Sequence, residues 1–244
     1  VKIGLSANRS RQDFSLKRLL IGLNQDLEKV IFSIDDKGLD QITYGHSHSR
    51  YLSSLSNLQI AILFLEDRGF FVHRGFEFRA PLRILKRIAL RKPAGAISTI
   101  DQQLVRICSG RHDRTFRRKM RETLLAFLLN SHRSKSEIFH AYLHDSYFGY
   151  KLEGCEITSR FLFSKPAAKL TPDEASFIAS LLARPLPKKV YEVVRKERNF
   201  REITPEYLIG IGHLERLSWA DHVSFRYQYV LEMFPSIPSN LRTR

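Results

Sequence analysis

The spacing of apolar residues constrains this chain more than any other feature, because it leaves room for little except helix packed on helix. From Leu55 onward the dominant period is helical, and Ile60, Leu63 and Leu65 lead into a break at Glu66-Asp67-Arg68. The same period predicts helices over 99–109, 115–131, 136–144, 172–184 and 221–234, with Pro185 and Pro187 closing the helix over 172–184. In the helix over 115–131, Met120, Leu124, Phe127 and Leu128 form the expected core face. Upstream, an amphipathic stretch from Phe14 to Ile31 follows a basic start, and a turn-rich segment from Ser33 to Arg50 carries Asp35, Asp36, Gly38 and Gly45 as breakers. Strand-like alternation is confined to short pieces such as Val30 to Ser33. The expected class is mainly α.

Composition narrows what such a fold can do. The 244 residues allow one large domain, or one with an appendage, and 43% hydrophobic residues are enough for a core. Forty Lys and Arg against 25 Asp and Glu give a net charge of +15, so the surface seeks polyanions: nucleic acid, anionic lipid or a phosphorylated substrate. Nucleic acid is the weakest of these, for the chain has no recognition-helix, RNP or zinc-finger pattern. The longest pure apolar runs, such as Leu124 to Leu129, are far short of the roughly 20 residues of a membrane span. No signal-peptide core is visible, and the chain opens on Val1 instead of Met. Cys108 and Cys155 fit neither a disulfide framework nor a zinc site and read as two buried or half-buried thiols.

Three stretches carry chemistry. In Ala61 to Gly75 an apolar helix runs into Glu66, Asp67 and Arg68, followed by Phe70, Phe71, His73 and Gly75. A carboxylate at the end of an apolar run is partly desolvated, which suits it to proton transfer near neutral pH; the plainer reading is a helix end whose charges face water. In Gly95 to Arg106, Ser98 or Thr99 is a natural N-cap, Asp101 lies in the first turn, and Gln102 and Gln103 place two amides where helix N–H groups favour an anion. In Arg114 to Leu129, Arg118 and Lys119 share a flank with Glu122, so the carboxylate can hold cations around a pyrophosphate, or hold a metal.

The order and wording of these stretches resemble the biosynthetic peptidoglycan glycosyltransferase family, the lysozyme-like domain of class A penicillin-binding proteins and monofunctional transglycosylases. The family's EDxxFxxHxG is met by Glu66, Asp67, Phe70, His73 and Gly75, and its STITQQL by Ser98, Thr99, Ile100, Gln102, Gln103 and Leu104. RKxxE is Arg118, Lys119 and Glu122; SKxEI is Ser134, Lys135, Glu137 and Ile138, followed by Tyr142 and Leu143 and then by Tyr147-Phe148-Gly149. A last motif is met by Phe163, Lys165, Leu170, Thr171, Glu174, Ala175 and Ala183, and a faint echo runs from Arg226 to Met233. The chain departs from the pattern at Ala96 and Ile97 (family glycines), Asp101 (Thr), Arg106-Ile107 (Lys-Asn), Asn130 (an acid), His144 (Asn) and Ser164 (Gly).

The resemblance implies a lysozyme-like helical core with a smaller, partly lipid-facing lobe over about 70–95, where Phe70, Phe71, Phe76, Phe78 and later apolar residues alternate with Arg79, Arg83, Lys86, Arg87, Arg91 and Lys92. The implied layout is an N-terminal extension of unknown role over 1–54, a glycosyltransferase core over 55–190 and a C-terminal helical segment packing on it over 191–244. The implied activity is polymerisation of a lipid-linked disaccharide precursor (lipid II), with inversion and release of polyprenyl pyrophosphate. Glu66 and Glu122 would be catalytic, and Asp67, Phe70, His73, Ser98, Thr99, Gln102, Gln103, Arg106, Arg118 and Lys119 would bind substrate. One carboxylate in apolar surroundings and another among cations suit divided roles. No cofactor is required, although a divalent metal (Mg or Mn) at Glu122 is allowed. The implied partners are the lipid-linked precursor, an anionic membrane surface, and a transpeptidase or other cell-wall synthesis protein. The implied location is the outer face of the bacterial cytoplasmic membrane, reached peripherally or through a missing N-terminal anchor. The alternative is a weak or inactive relative that binds the lipid-linked pyrophosphate, or a cell-wall synthesis partner, without polymerising.

Overall fold

The computed structural model describes residues 4–36, 55–77, 98–111, 113, 115–215 and 217–236, with side chains from residue 20 onward. Most of the basic aromatic segment expected to meet lipid, from Phe78 to Lys92, lies outside the described residues, as do Ala96, Ile97 and most of the turn-rich segment before Arg50.

The chain is mainly α, in keeping with the lysozyme-like core expected. The helices are α1 (Gly4–Asp35), α2 (Asn57–Glu66), α3 (Ile100–Ser109), α4 (Phe116–His132), α5 (Lys135–Asp145), α6 (Cys155–Phe163), α7 (Pro172–Leu181), α8 (Lys188–Glu197), α9 (Pro205–Leu214) and α10 (Ser218–Met233). Caps explain where several begin. Ser56, Ser134 and Thr171 each accept from the backbone three residues on, and Gln59, Glu137 and Glu174 reach back to close capping boxes.

Helix α7 is the centre of one half of the fold. Every residue from Glu174 to Leu181 is buried, as befits a helix enclosed on all sides, here by α2, α10 and α9. In the other half α3 packs on α4 and α5, and α1 lies across all three through Leu23, Leu27, Val30 and Ile34. Ion pairs from Asp26 to Arg111 and Arg121, and from Asp35 to Arg133, fasten α1 there. The boundary expected at 190 falls inside α8, which packs against α9.

Three expectations about local structure are corrected. Val30 to Ser33 is part of α1, not a strand; the only sheet among the described residues is a hairpin of β1 (Tyr147–Gly149) and β2 (Leu152–Glu153). Helix α7 stops at Leu181, before the prolines, and Leu186 between them bridges to Gly149 of β1. Helix α4 presents the opposite face from the one expected. Its buried residues are Glu122, Leu125, Ala126 and Leu129, whereas Met120, Leu124 and Phe127 are exposed. The buried side carries Leu125, Ala126 and Leu129, and α4 packs on both α3 and α1; Glu122 is tolerated on that side because Arg118 and Lys119 pair with it.

Cys108 and Cys155 are free thiols, half-buried and buried respectively, and burial pushes the Cys155 thiol up. Among the described residues no helix is long and apolar enough to cross a membrane.

Candidate active site

The site begins where α2 ends. Glu66 is the last residue of that helix, and Asp67 caps it, its backbone N–H donating to Leu63 O. Asp67 then turns inward. Its Oδ2 accepts from the Ile100 N–H at 3.1 Å, so the anion at the N-terminus of α3 is a side chain of the protein itself. Thr99 is the N-cap: its Oγ1 accepts from the Gln102 N–H at 3.3 Å and donates to Gly75 O at 2.9 Å. The open anion cradle expected at this helix start is therefore filled, and Asp67 and Thr99 stitch the first stretch to the second.

Gly75 explains how the two come so close. Its φ of +79° is left-handed, and a Cβ there would collide with the Ala126 carbonyl of α4. His73, two residues earlier, meets Asp67 through Nε2 at 2.9 Å. Its Nδ1 faces Asp101 at 3.9 Å and has no hydrogen-bond partner among the described residues.

Asp101, in the first turn of α3, is fully buried, gripped by Lys135 Nζ at 2.8 and 3.0 Å and by Asn130 Nδ2 at 2.7 Å. Burial pushes its carboxyl up against the pull of Lys135, Asn130 and His73, and burial likewise pushes the Lys135 ammonium down. Asp67, His73 and Asp101 converge closely enough to hold an ion. The Lys135 ammonium, bonded to both Asp101 oxygens, already meets the negative charge of that group.

Phe70, expected at the substrate, is completely buried. Its ring packs on Phe71 and Phe139 at centroid distances of 4.9 and 5.5 Å, and Lys135 Nζ lies 4.3 Å from its centre. It is a core residue because it plugs the space beneath the Asp67–His73 turn. Gln102 is also interior: its Nε2 donates to Thr123 Oγ1 at 3.0 Å and its Oε1 accepts from Lys119 Nζ at 2.7 Å.

Gln103, one position on, faces the other way. Its Nε2 donates to Glu66 Oε2 at 3.0 Å, and its Oε1 accepts from the Tyr142 hydroxyl at 2.9 Å. That hydroxyl, pushed well above its ordinary range by burial and by the Glu66 charge, stays protonated and fixes which way the amide points. The other Glu66 oxygen, Oε1, pairs with Arg226 Nη2 of α10 at 2.7 Å. The apolar surroundings expected for Glu66 are thus corrected: the carboxylate is largely covered, but it is ion-paired. Only the faint likeness at Arg226 to Met233 hinted at this partner, since nothing in local spacing ties residue 226 to residue 66.

Glu122 lies among cations as expected. Arg118 bonds it one turn away, and Lys119 Nζ stands 3.7 Å from its Oε2. Lys119 Nζ also donates to Ser98 Oγ at 2.8 Å, and Ser98 O lies 3.5 Å from Gln103 Nε2. Ser98 is therefore the hinge between the two carboxylates, with Gln103 and Glu66 on one side and Lys119 and Glu122 on the other. Arg106, in the last turn of α3, adds a positive charge felt at both Lys119 and Tyr142. Burial is the largest cause holding the Lys119 ammonium below its ordinary range; Glu122 opposes it, while Arg106 and Arg118 add to it. At Glu122 these cations supply the positive charge that a divalent ion would bring. A surface hollow of about 770 Å³ lined by Asp35, Asn130, Arg133 and Glu137 touches none of these groups.

The arrangement offers one hydrogen-bonded carboxylate for moving a proton and, a few side chains away, a cationic cluster for an anion. The family described as transglycosylase matches residues 39–205. Penicillin-binding protein 2D of Bacillus subtilis is 34% identical over 179 residues, covering 69% of this chain and 25% of that protein. The biosynthetic peptidoglycan transglycosylases of Nitrosomonas eutropha and Mannheimia succiniciproducens are 32% and 31% identical, over 57% and 66% of this chain. The chain spans about a quarter of the first relative and 58% and 66% of the other two. With the family matched over most of its length and the two carboxylates joined through Ser98, this chain belongs to the transglycosylase family.

Proposed function

We propose that the chain is a peptidoglycan glycosyltransferase acting on a lipid-linked disaccharide precursor. The observation that carries this reading is the pairing of two unlike carboxylates across Ser98: Glu66 held by neutral and cationic donors, Glu122 embedded among Arg118 and Lys119. Glu66 takes the proton of the acceptor sugar's 4-hydroxyl as that oxygen attacks the anomeric carbon of the donor. The bond from that carbon to the pyrophosphate breaks, with inversion, and the polyprenyl pyrophosphate leaves with the electron pair. Lys119, Arg118 and Arg106 neutralise the leaving group, while Glu122 keeps those cations in place. Asp67, His73, Thr99 and Gln102 hold this frame from behind, and Phe70 packs beneath it. No step requires a metal.

The reading places the protein at the outer face of the bacterial cytoplasmic membrane, where its net charge of +15 favours anionic lipid. A transpeptidase is the natural partner for a glycan polymerase, and penicillin-binding protein 2D is among the relatives. The alternative is a relative that binds lipid pyrophosphate without polymerising.

The test is incubation with labelled lipid II, followed by separation of lipid, polymer and released pyrophosphate. Polymer is expected from the parent, and Glu66→Gln should lower turnover by about 10²–10⁴ with little change in affinity. Glu122→Gln should weaken binding and turnover together. Binding without turnover in the parent selects the alternative; equal turnover in parent and Glu66→Gln removes Glu66 as the base.

A further inference from the structure

Helix α8 carries a row of cations on one face. Lys188, Tyr191, Arg195 and Arg198 recur at three and four positions, which sets Lys188 and Arg198 on one side and about 15 Å apart along the axis. Beneath the row runs a ladder of half-buried rings. Tyr191 stacks on Phe161 of α6, with centres 4.4 Å apart and planes 7° from parallel, and meets Tyr150 of the β1–β2 turn edge-on at 5.4 Å. The cations sit on these rings. Lys151 and Lys188 Nζ lie 5.5 and 5.2 Å from the centre of Tyr150, and the Arg198 guanidinium lies 5.2 Å from that of Phe161. Backbone pairing explains why two lysines meet one ring. The Leu186 N–H donates to Phe148 O at 2.7 Å and the Tyr150 N–H to Leu186 O at 3.2 Å, which brings the start of α8 beside the hairpin.

Two features set this surface apart from an ordinary solvated face. Lys151, Lys188, Arg195 and Arg198 have no carboxylate partner among the described residues, although nearby Lys189 pairs with Glu215 and Arg160 with Glu156. The rings hold three of these cations in place, so an incoming anion meets charges already positioned. Lys151 is also left-handed, with φ of +59°, at a turn position that suits glycine or asparagine. Strain of that kind collects at functional positions. The donors do not converge on a point, as they would around a compact anion; they form a row, and the Tyr150 and Tyr191 hydroxyls are unbonded among the described residues. A linear chain with carboxylates at intervals and hydroxyls between them fits such a row. The glycan strand made by the proposed reaction is a chain of this kind, because its repeats carry peptides with free carboxylates. The surface is also tied to the helix that reaches Gln103: β1 begins two residues after α5, and Ser146 accepts from the Gly154 N–H and donates to Tyr142 O.

We infer that α6, α8 and the hairpin tip form a second binding surface, separate from Glu66 and Glu122, for the carboxylate-bearing product strand. This rests on the proposed function. A strand held at a second point stays near the reacting groups between additions, so the surface sets polymer length and leaves the rate of each bond unchanged.

The test uses soluble, uncrosslinked glycan strands with their peptides attached, and the same strands with the carboxylates amidated. The parent should bind the first with an affinity that falls as salt rises, and the second about tenfold more weakly or worse. Combining Lys151→Ala, Lys188→Ala and Arg198→Ala should lower strand binding by about tenfold or more. The same variant should make shorter polymer from labelled lipid II, with an initial rate within about twofold of the parent. If it does not fold, Lys151→Gly alone relieves the turn and should weaken strand binding without lowering the unfolding midpoint. Parent-like strand binding by the folded variants overturns the inference, as does equal binding of amidated strands. A preference for phosphatidylglycerol vesicles or for polyglutamate over the strands overturns it too, in favour of a lipid or a protein partner. Strand binding with the expected pattern in a parent that makes no polymer sinks the functional reading and leaves the surface standing.

Discussion

Asn130 Nδ2 stands 2.7 Å from Asp101 Oδ1, so two of the positions at which this chain departs from the family wording are in direct contact. The family has a neutral residue at the first and an acid at the second. Here the acid has crossed the contact, and one carboxylate still faces His73 and Lys135. Two departures that looked independent amount to one exchange within a buried polar cluster.

The cluster sets a stability prediction. Lys135→Met leaves Asp101 buried without its cation and should cost about 3–5 kcal/mol. Adding Asp101→Asn should recover most of that loss, because both charges are then gone. Urea unfolding of the two single variants and the double variant measures it; additive losses would show that the pair is not coupled.

The orientation of α4 makes a second. Leu125 is buried and Leu124 is 43% exposed, though sequence spacing favours Leu124 as the core residue. Leu125→Ala should therefore cost about 2–5 kcal/mol, and Leu124→Ala no more than about 0.5–1 kcal/mol. Thermal unfolding ranks them, and the reverse order would mean that α4 is rotated.

Ser164 ends α6 in the left-handed region, with φ of +54°, at a position where the family has glycine. Its side chain strains against the carbonyl, so Ser164→Gly should raise stability by about 1 kcal/mol. A lower unfolding midpoint for that variant would contradict the strain.

Tyr142→Phe removes the hydroxyl that orients the Gln103 amide. The loss should be about 1 kcal/mol in stability and roughly tenfold in turnover of the lipid-linked precursor, since Glu66 Oε2 loses a fixed donor. Unfolding curves and single-turnover rates on the same preparation separate the two effects.

Lys119 titrates below the ordinary lysine value of 10.5, mainly because it is buried. Below its lowered pKa it is charged and grips an anion; above it the charge is lost. Binding of inorganic pyrophosphate should thus weaken at a pH where an ordinary lysine remains charged. Bound anion raises the proton affinity, so binding on the alkaline side should take up protons. Calorimetry in buffers of different ionisation enthalpy reads both, and Lys119→Arg should move the alkaline limb upward.

Much of this was legible in the sequence, and what was hidden has physical causes. Helices α3, α4, α5 and α7 open on side-chain caps, and α10 carries its period over 16 residues without one. By contrast α6 starts at Gly154 with no side-chain cap, α8 is mostly charged, and α9 contains Gly210 and Gly212 within a run of branched and aromatic residues. Glu122 stands out because its partners Arg118 and Lys119 lie within one turn of the same helix, and Glu66 because it ends an apolar run and opens the EDxxFxxHxG wording. Asp101 and Arg226 do not: burial of the first depends on Lys135 and Asn130 on other elements, and the second finds Glu66 across 160 positions. The face of α4 is hidden because both sides are apolar: Leu124 and Leu125 are adjacent and alike, and packing on α1 and α3 buries the second.

The distance between Glu66 and Arg226 along the chain has a consequence in time. During synthesis at about 5–20 residues per second, Glu66 exists for on the order of ten seconds or more before Arg226 is made. For that interval a nascent chain can carry both carboxylates and the cationic cluster, yet lack the cation that pairs with Glu66. On this view Glu66 takes up its final surroundings only when α10 is complete and docks.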